Sequence, residues 1–273
     1  MKTFALALGA GGARGLAHIA VLEALDEMGV RPAAIAGSSI GALIGAAYAA
    51  GMTGKEIRRF VVALAHNRGE VLRRLVAARA GTFANLLSVG FGSATLIDAE
   101  KFCQLFMPPQ VPEAFEALQI PLTVIASDLH RRRQVPMSTG TLRSALAASI
   151  ALPTLVRPVV VDHRVLVDGG ATNPLAFDVL TDKADVVVAV DISGEPSEER
   201  RDIPNPWECL LITVLVMGGA ITAEKLKHGA PDLMIKPKVG IFRALDFFQA
   251  SAILRAAEPA KAEIKEKLTT LLG

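Results

Sequence analysis

Aromatic side chains are few in this chain, 5% of residues with a single Trp and a single Tyr. Platforms on which exposed bases could stack are therefore scarce. Charge is scarce as well: 21% of residues are Asp, Glu, Lys or Arg, and the formal net charge is only +2. No excess of one sign marks the chain as a partner for nucleic acid, and none is expected. Only two cysteines occur, Cys103 and Cys209, far apart and outside any Cys-x-x-Cys pattern. A zinc site or redox motif is not expected, and both read as buried thiols in a reducing compartment. Internal repeats, low-complexity tracts and obvious linkers are lacking too.

What the chain has in quantity is apolar residue, 51% of 273. That suffices for a large core in one α/β domain spanning 1–273. Three stretches could be mistaken for targeting or membrane segments. Lys2 before Phe4–Leu8 could open a signal peptide, but the run is short for one and Arg14 soon follows, so it reads as a first buried strand. Ala33–Met52 is uncharged, with Gly37, Gly41 and Gly45 at the spacing that packs transmembrane helices. Alanine dominates it, however, and Gly37-Ser38-Ser39 breaks it near its start. Leu210–Ile221 is too short to cross a bilayer. The expectation is a soluble, cytoplasmic protein with very apolar inner helices.

Short apolar β-prone runs alternate with helical patterns, which predicts a mostly parallel sheet with helices on both faces. Strands are expected at Thr3–Leu8, Ala33–Ala36, Leu122–Ala126, Gln134–Met137, Val159–Val161, Val165–Val167, Val186–Val190 and Leu233–Ile235. Helices are expected at Gly15–Met28, Ile40–Ala50, Lys55–Ala65, Ala99–Leu105, Leu142–Ala148, Pro174–Thr181, Pro206–Lys227 and Phe247–Leu272, the last broken near Pro259. Residues 69–95 mix Arg73, Arg74 and Arg79 with Phe83 and Phe91 and four glycines. This segment reads as a cap over a site, in contact with a membrane surface, or as an ordinary surface helix and loop.

Three motifs carry chemistry. Gly9-Ala10-Gly11-Gly12-Ala13-Arg14-Gly15 lies between a strand and a helix. Its glycines allow close backbone approach, and free N–H groups at a helix start can hold an anion. The anion could be a phosphate or the oxyanion of acyl transfer. A dinucleotide fingerprint fits poorly, because Arg14 stands where glycine is required and no acidic residue closes the second strand. Gly37-Ser38-Ser39-Ile40-Gly41 follows a strand and precedes a helix, the context of a nucleophile elbow with Ser39 exposed at its turn. Val167-Asp168-Gly169-Gly170 runs a buried strand into a carboxylate. Such an Asp can be a turn former, or it can serve as a base if a dry site raises its pKa. The five histidines, His18, His66, His130, His163 and His228, sit in contexts that suit surface or capping roles. None follows a late strand, where an α/β-hydrolase would place its histidine.

Together these pieces resemble the patatin-like phospholipase family. The likeness rests on Gly11-Gly12-Ala13-Arg14-Gly15, Gly37-Ser38-Ser39-Ile40-Gly41 and Asp168-Gly169-Gly170, in matching order and spacing. It extends through Leu16–Leu22, Ala148–Pro153 and Asn173-Pro174, and covers roughly Thr3 to Val190, at the length of the short bacterial members. The resemblance implies a three-layer α/β/α sandwich and no cofactor or metal. It implies a Ser-Asp dyad of Ser39 and Asp168, and an oxyanion hole from the amides of Gly11, Gly12 and Ala13. Arg14 would brace that loop, with Gly15, Gly37, Gly41, Gly169 and Gly170 in support. Ala10 stands where most relatives have glycine; a methyl there is tolerated at negative φ and costs about 1 kcal/mol or more at positive φ.

The function so implied is hydrolysis of lipid acyl esters through an acyl-serine, with peripheral contact at the inner membrane face. Arg131, Arg132 and Arg133 either meet anionic headgroups or form a solvated hairpin. The rivals are an α/β-hydrolase esterase with a Ser-His-Asp triad, a regulatory protein that keeps the fold without turnover, and a nucleotide-binding module.

Overall fold

The computed structural model describes residues 2–79, 97–194, 203 and 206–273. Its centre is β1, Phe4–Leu8, five apolar residues that are all buried. A run so short and so uniformly apolar suits a strand covered on both faces. β1 lies parallel to β2 (Ala34–Ser38) on one side and to β7 (Val186–Val190) on the other. β8, Leu233–Ile235, extends the sheet parallel to β7. Beyond β2 come β3 (Leu122–Asp128), β6 (Arg164–Asp168) and β5 (Val159–Val161), with β4 (Arg133–Met137) also on β3. The pairings of β3 with β4, β3 with β6, and β5 with β6 are antiparallel.

β3 explains how two distant segments meet. β2 pairs with its residues 122–125, β6 with 126–128, and β4 with 124–128. A strand has two edges, and β4 overlaps both of the others. β2 and β6 therefore share the opposite edge, end to end. β2 runs parallel to β3 and β6 antiparallel to it, so their C-terminal ends converge. Ser38 pairs with Ile125, and Asp168 pairs with the next residue, Ala126.

One sheet face presents Leu6, Leu8 and Ile35 to helices α1 (His18–Met28), α2 (Ile40–Ala49) and α9 (Pro259–Leu272), which bury Leu22, Ala46 and Leu268 there. α3 (Gly54–His66) is held to α1 and α9 through buried Glu23, which takes both Arg58 and Lys261. Burial pushes the Glu23 carboxyl up, but its bonds to Arg58 and Lys261 outweigh that and hold it below the usual range. The other face offers small side chains, Ala5, Ala7, Ala34 and Ala36, to Leu175, Phe177 and Leu180.

That second layer is thinner than expected. The predicted helix Pro174–Thr181 is only a 3-10 turn, Phe177–Leu180. The carbonyl of Pro174 accepts from the Ala10 amide and that of Leu175 from Lys225, so neither is left for an α-helical ladder. The helix expected from Gly15 starts as a 3-10 turn, Gly12–Ala17, and becomes α1 at His18. The broken C-terminal helix is α8 (Ala250–Ala257) followed by α9. α5 (Ala99–Phe106) and α6 (Leu142–Ser149) lie where expected. Of the expected cap over 69–95, the first part is helix α4, Arg68–Ala77, capped by Asn67; 80–95 lie outside the described residues.

One expectation about placement is overturned. Leu210–Ile221 belongs to α7, Pro206–His228, and α7 is not an inner helix. The stretch Glu208–His228 is long and apolar enough to cross a membrane by length and composition, and only 6% of its most apolar window is buried. A run of twelve residues was judged for span, but helical propensity carries the apolar segment through Thr222 and Ala223 to its charged end.

Candidate active site

Three strand ends meet at one point. Ser39 follows β2 with φ 55° and ψ −124°, an uncommon conformation for a residue with a side chain. Such a backbone persists only where its surroundings enforce it. Here the enforcement is Gly41: a Cβ on it would lie 2.2 Å from the Leu8 carbonyl oxygen, so only glycine lets the elbow sit against the end of β1. The turn is held on two further sides. The Ser39 amide donates to Ser149 Oγ at 2.9 Å, and Ser38 Oγ donates to the Asn173 carbonyl at 2.6 Å.

Asp168, at the end of β6, meets the elbow. Ser39 Oγ donates to Asp168 Oδ2 at 2.6 Å, and the Gly170 amide donates to Oδ1 at 2.7 Å. The Asp168 carbonyl accepts from Ser127 Oγ, which also bonds Thr172 Oγ1. Asp168 is 6% exposed. Burial pushes its pKa up to about 6, against the lowering effect of the Ser39 and Gly170 bonds. A carboxylate there is basic enough to take a proton and sits at hydrogen-bond distance from a hydroxyl, the geometry of a nucleophile and its base.

The glycine loop lies beside this pair. Gly9 and Ala10 are pinned by their amides to the carbonyls of Val190 and Pro174. Ala10 is not among the residues of positive φ, so its methyl carries no strain. The amides of Gly11 and Gly12 make no bond to another loop or side chain among the described residues. Ala13 differs: its amide donates to the Ala244 carbonyl at 2.7 Å. As it stands, therefore, the loop offers two of the three expected donors. Arg14 fastens the loop from below, bonding the carbonyls of Phe242, at 2.8 Å, and of Ser193. Gly15 leaves room for Ile40, and Gly169 for the Ile125 carbonyl.

None of the five histidines bonds Ser39 or Asp168. Four lie in exposed contexts, but His18 is a correction: it is fully buried under the glycine loop, not at the surface. Its Nε2 meets the Gly9 carbonyl at 2.9 Å, and its Nδ1 has no partner. Burial lowers its pKa to about 4, so at neutral pH it is a neutral imidazole that props the loop. Arg131, in the turn between β3 and β4, has its amide capped by Asp128, which suits the solvated hairpin.

Sequence reasoning missed three supports. Ser149 lay in the Ala148–Pro153 stretch and could have been picked out there. Lys225 and Ala244 had no local signal. Lys225, on α7, reaches Asn173 Oδ1 at 2.6 Å and Asp178, and so ties that helix to the residue beneath Ser38.

The family model for patatin-like phospholipase matches residues 6–181. An uncharacterised NTE-family protein of Mycobacterium tuberculosis is 38% identical over 199 residues, which is 72% of this chain and 51% of the relative. Patatin-like phospholipase domain-containing protein 7 of Rattus norvegicus is 29% identical over 214 residues, 77% of this chain and 15% of that protein. The chain thus spans about half the length, or less, of these curated relatives. Among solved structures, VipD from Legionella pneumophila superposes with a TM-score of 0.51 at 14% identity, over 97% of this chain and 67% of that one, a likeness of fold.

Proposed function

This chain belongs to the patatin-like phospholipase family, and from that premise we propose that it is a lipid acyl-ester hydrolase working through a Ser39–Asp168 dyad. The observation that carries the reading is the 2.6 Å bond from Ser39 Oγ to a buried carboxylate whose pKa is raised to about 6. Burial makes Asp168 a better base than an exposed carboxylate without removing its charge at neutral pH.

Ser39 Oγ attacks the ester carbonyl carbon as its proton passes to Asp168 Oδ2. The carbonyl oxygen becomes an oxyanion against the amides of Gly11 and Gly12, with the Ala13 amide able to join only if the Ala244 carbonyl withdraws. The C–O bond to the alcohol then breaks, and the alcohol leaves with the proton from Asp168. An acyl-Ser39 remains. Water gives its proton to Asp168, attacks the acyl carbon, and releases the fatty acid as Ser39 regains the proton. No histidine is needed, because Asp168 occupies the position of the base itself.

The substrate class is a lipid ester. Cys103 is buried as expected, whereas Cys209, near the start of α7, is exposed; the two free thiols fit a cytoplasmic setting, with action at the inner membrane face.

A fluorophosphonate probe followed by peptide mapping tests the reading. The expected result is a label on Ser39 that is lost in Asp168→Ala. A label on another residue moves the nucleophile, and no label in the presence of lipid vesicles makes the chain a non-catalytic member of its family.

A further inference from the structure

Resting on the hydrolase reading for its placement beside the dyad, we propose that α7 and residues 241–248 form one face that docks on the surface of a phospholipid bilayer. From Cys209 to Ala223 helix α7 carries no charge. Its apolar residues are spread around the axis, and it leaves Leu210, Val216 and Met217 in solvent. A helix apolar all round is ordinarily surrounded by apolar matter. Among the described residues, protein covers it on one side, where Gly218 abuts Pro174 and the Gly170 carbonyl next to Asp168. The loop alongside exposes Ile241, Phe247 and Phe248. It is joined to α7 by the Arg243–Glu208 ion pair at 3.2 Å and to α4 by Arg68 lying 5.3 Å over the Phe248 ring. It also rests on the glycine loop, since Ala244 accepts from the Ala13 amide. The apolar surface is therefore continuous with the rim of the site.

Charge decides for a bilayer. The acids of the face are held within it, Glu208 in an ion pair with Arg243 and Asp246 as acceptor from the Arg243 amide at 2.8 Å, and the Arg68 guanidinium at its border lies over the Phe248 ring. An apolar surface whose few charges are held by partners, bordered by an arginine stacked on a phenyl ring, suits the boundary between headgroups and acyl chains. The helix is long enough to span, but it is held near both ends, by Glu208 and by Lys225, and in the middle at Gly218. Held in this way, it lies along the surface. An ester in the membrane then reaches Ser39 without crossing water.

The test is co-sedimentation with mixed phosphatidylcholine and phosphatidylglycerol vesicles. It uses the full chain carrying Ser39→Ala, so that failure of the hydrolase reading leaves the result unchanged. Val216 and Met217 are 66% and 58% exposed, so Val216→Asp with Met217→Asp can be made without disturbing the core. Ile241→Asp with Leu245→Asp probes the loop separately. Val160→Asp, at a 67% exposed site on β5 at the other end of the sheet, is the control. Each aspartate pair is expected to lower partition about tenfold or more, while the control pellets like its parent and all melt cooperatively. The proposal falls if the parent stays in the supernatant, if the aspartate pairs pellet as well as the control, or if alkaline carbonate fails to strip the protein from the vesicles, which would make α7 a spanning helix. It also falls if the parent is a dimer that the α7 pair converts to monomer without vesicles, because the face would then belong to a second copy.

Discussion

Two residues of the glycine loop, Ala10 and Gly12 on either side of Gly11, obey opposite rules. Gly12 has φ +62°, and a Cβ there would lie 2.2 Å from the Ala244 carbonyl oxygen. Gly12→Ala should therefore cost about 100-fold or more in hydrolysis, the scale of losing an oxyanion donor, because the loop must move to relieve the contact. Ala10 has a negative φ and a bonded amide. Ala10→Gly should stay active and lose about 0.5–1 kcal/mol, since it adds freedom only to the unfolded chain. Parallel ester-hydrolysis rates and urea melts of the two variants check both statements; equal losses of activity would refute the assignment of the loop.

At the level of elements, the site depends on a junction that no single segment contains. β2 and β6 converge on one edge of β3, and α7 is fastened beneath that junction by Lys225. Asn173 links the two, taking Lys225 on its side chain and Ser38 on its carbonyl. Asp178 lies in the same cluster; burial pushes its carboxyl up, but the bonds from Lys225 and Asn173 prevail and hold it low. Lys225→Met keeps the stem and removes the cation. It should cost about 1–3 kcal/mol by leaving a partly buried carboxylate and amide short of a donor. It should also slow hydrolysis at saturating substrate, because Asn173, whose carbonyl accepts from Ser38, loses one of its side-chain anchors. Lys225→Arg should recover part of the stability. A Lys225→Met protein with an unaltered urea midpoint would count against this role for the cluster.

At the scale of the whole molecule, two of its buried titrating groups, Asp168 and His18, have opposing pH dependences. Asp168 has a folded pKa of about 6, above the 3.8 of an ordinary aspartate. Between roughly pH 4 and 6 the native state keeps a proton that the unfolded chain has released, so this group's contribution to stability falls as pH rises, by about 3 kcal/mol in all. His18 is lowered from 6.5 to about 4. Over nearly the same window the unfolded chain takes up a proton that the native state refuses, so its contribution rises with pH by a similar amount. The two nearly cancel in the parent protein. Asp168→Asn removes one of them. Above pH 6 it should be the more stable protein, by about 3 kcal/mol, and should lose that advantage toward pH 4. It should also lose about 100- to 10,000-fold in hydrolysis, the usual worth of a positioned base. The parent's kcat/KM should climb with an acid-limb midpoint near 6, where the carboxylate forms. Thermal melts and pH–rate profiles of the pair test this, and a variant less stable than its parent at pH 8 would show that the buried charge is not a burden.

Much of this was legible in the linear chain, for a physical reason. Strands buried on both faces must be short apolar runs, and an elbow pressed against β1 must have glycine at Gly41, so the sheet, Ser39 and the glycine loop leave local marks. Asp168 at a strand end was legible as a carboxylate and, through the resemblance, as the expected partner of Ser39, but its burial was not legible. Its basicity comes from burial, and its nearness to Ser39 from two strands meeting head to head on β3. His18 was misread because nothing local distinguishes a histidine under a loop from one on a surface. The 3-10 turn at Phe177 replaced a helix because Ala10 and Lys225, far away in sequence, claim its carbonyls. The outward face of α7 was invisible for the same reason: composition sets how apolar a helix is, and only packing decides which of its sides the protein covers.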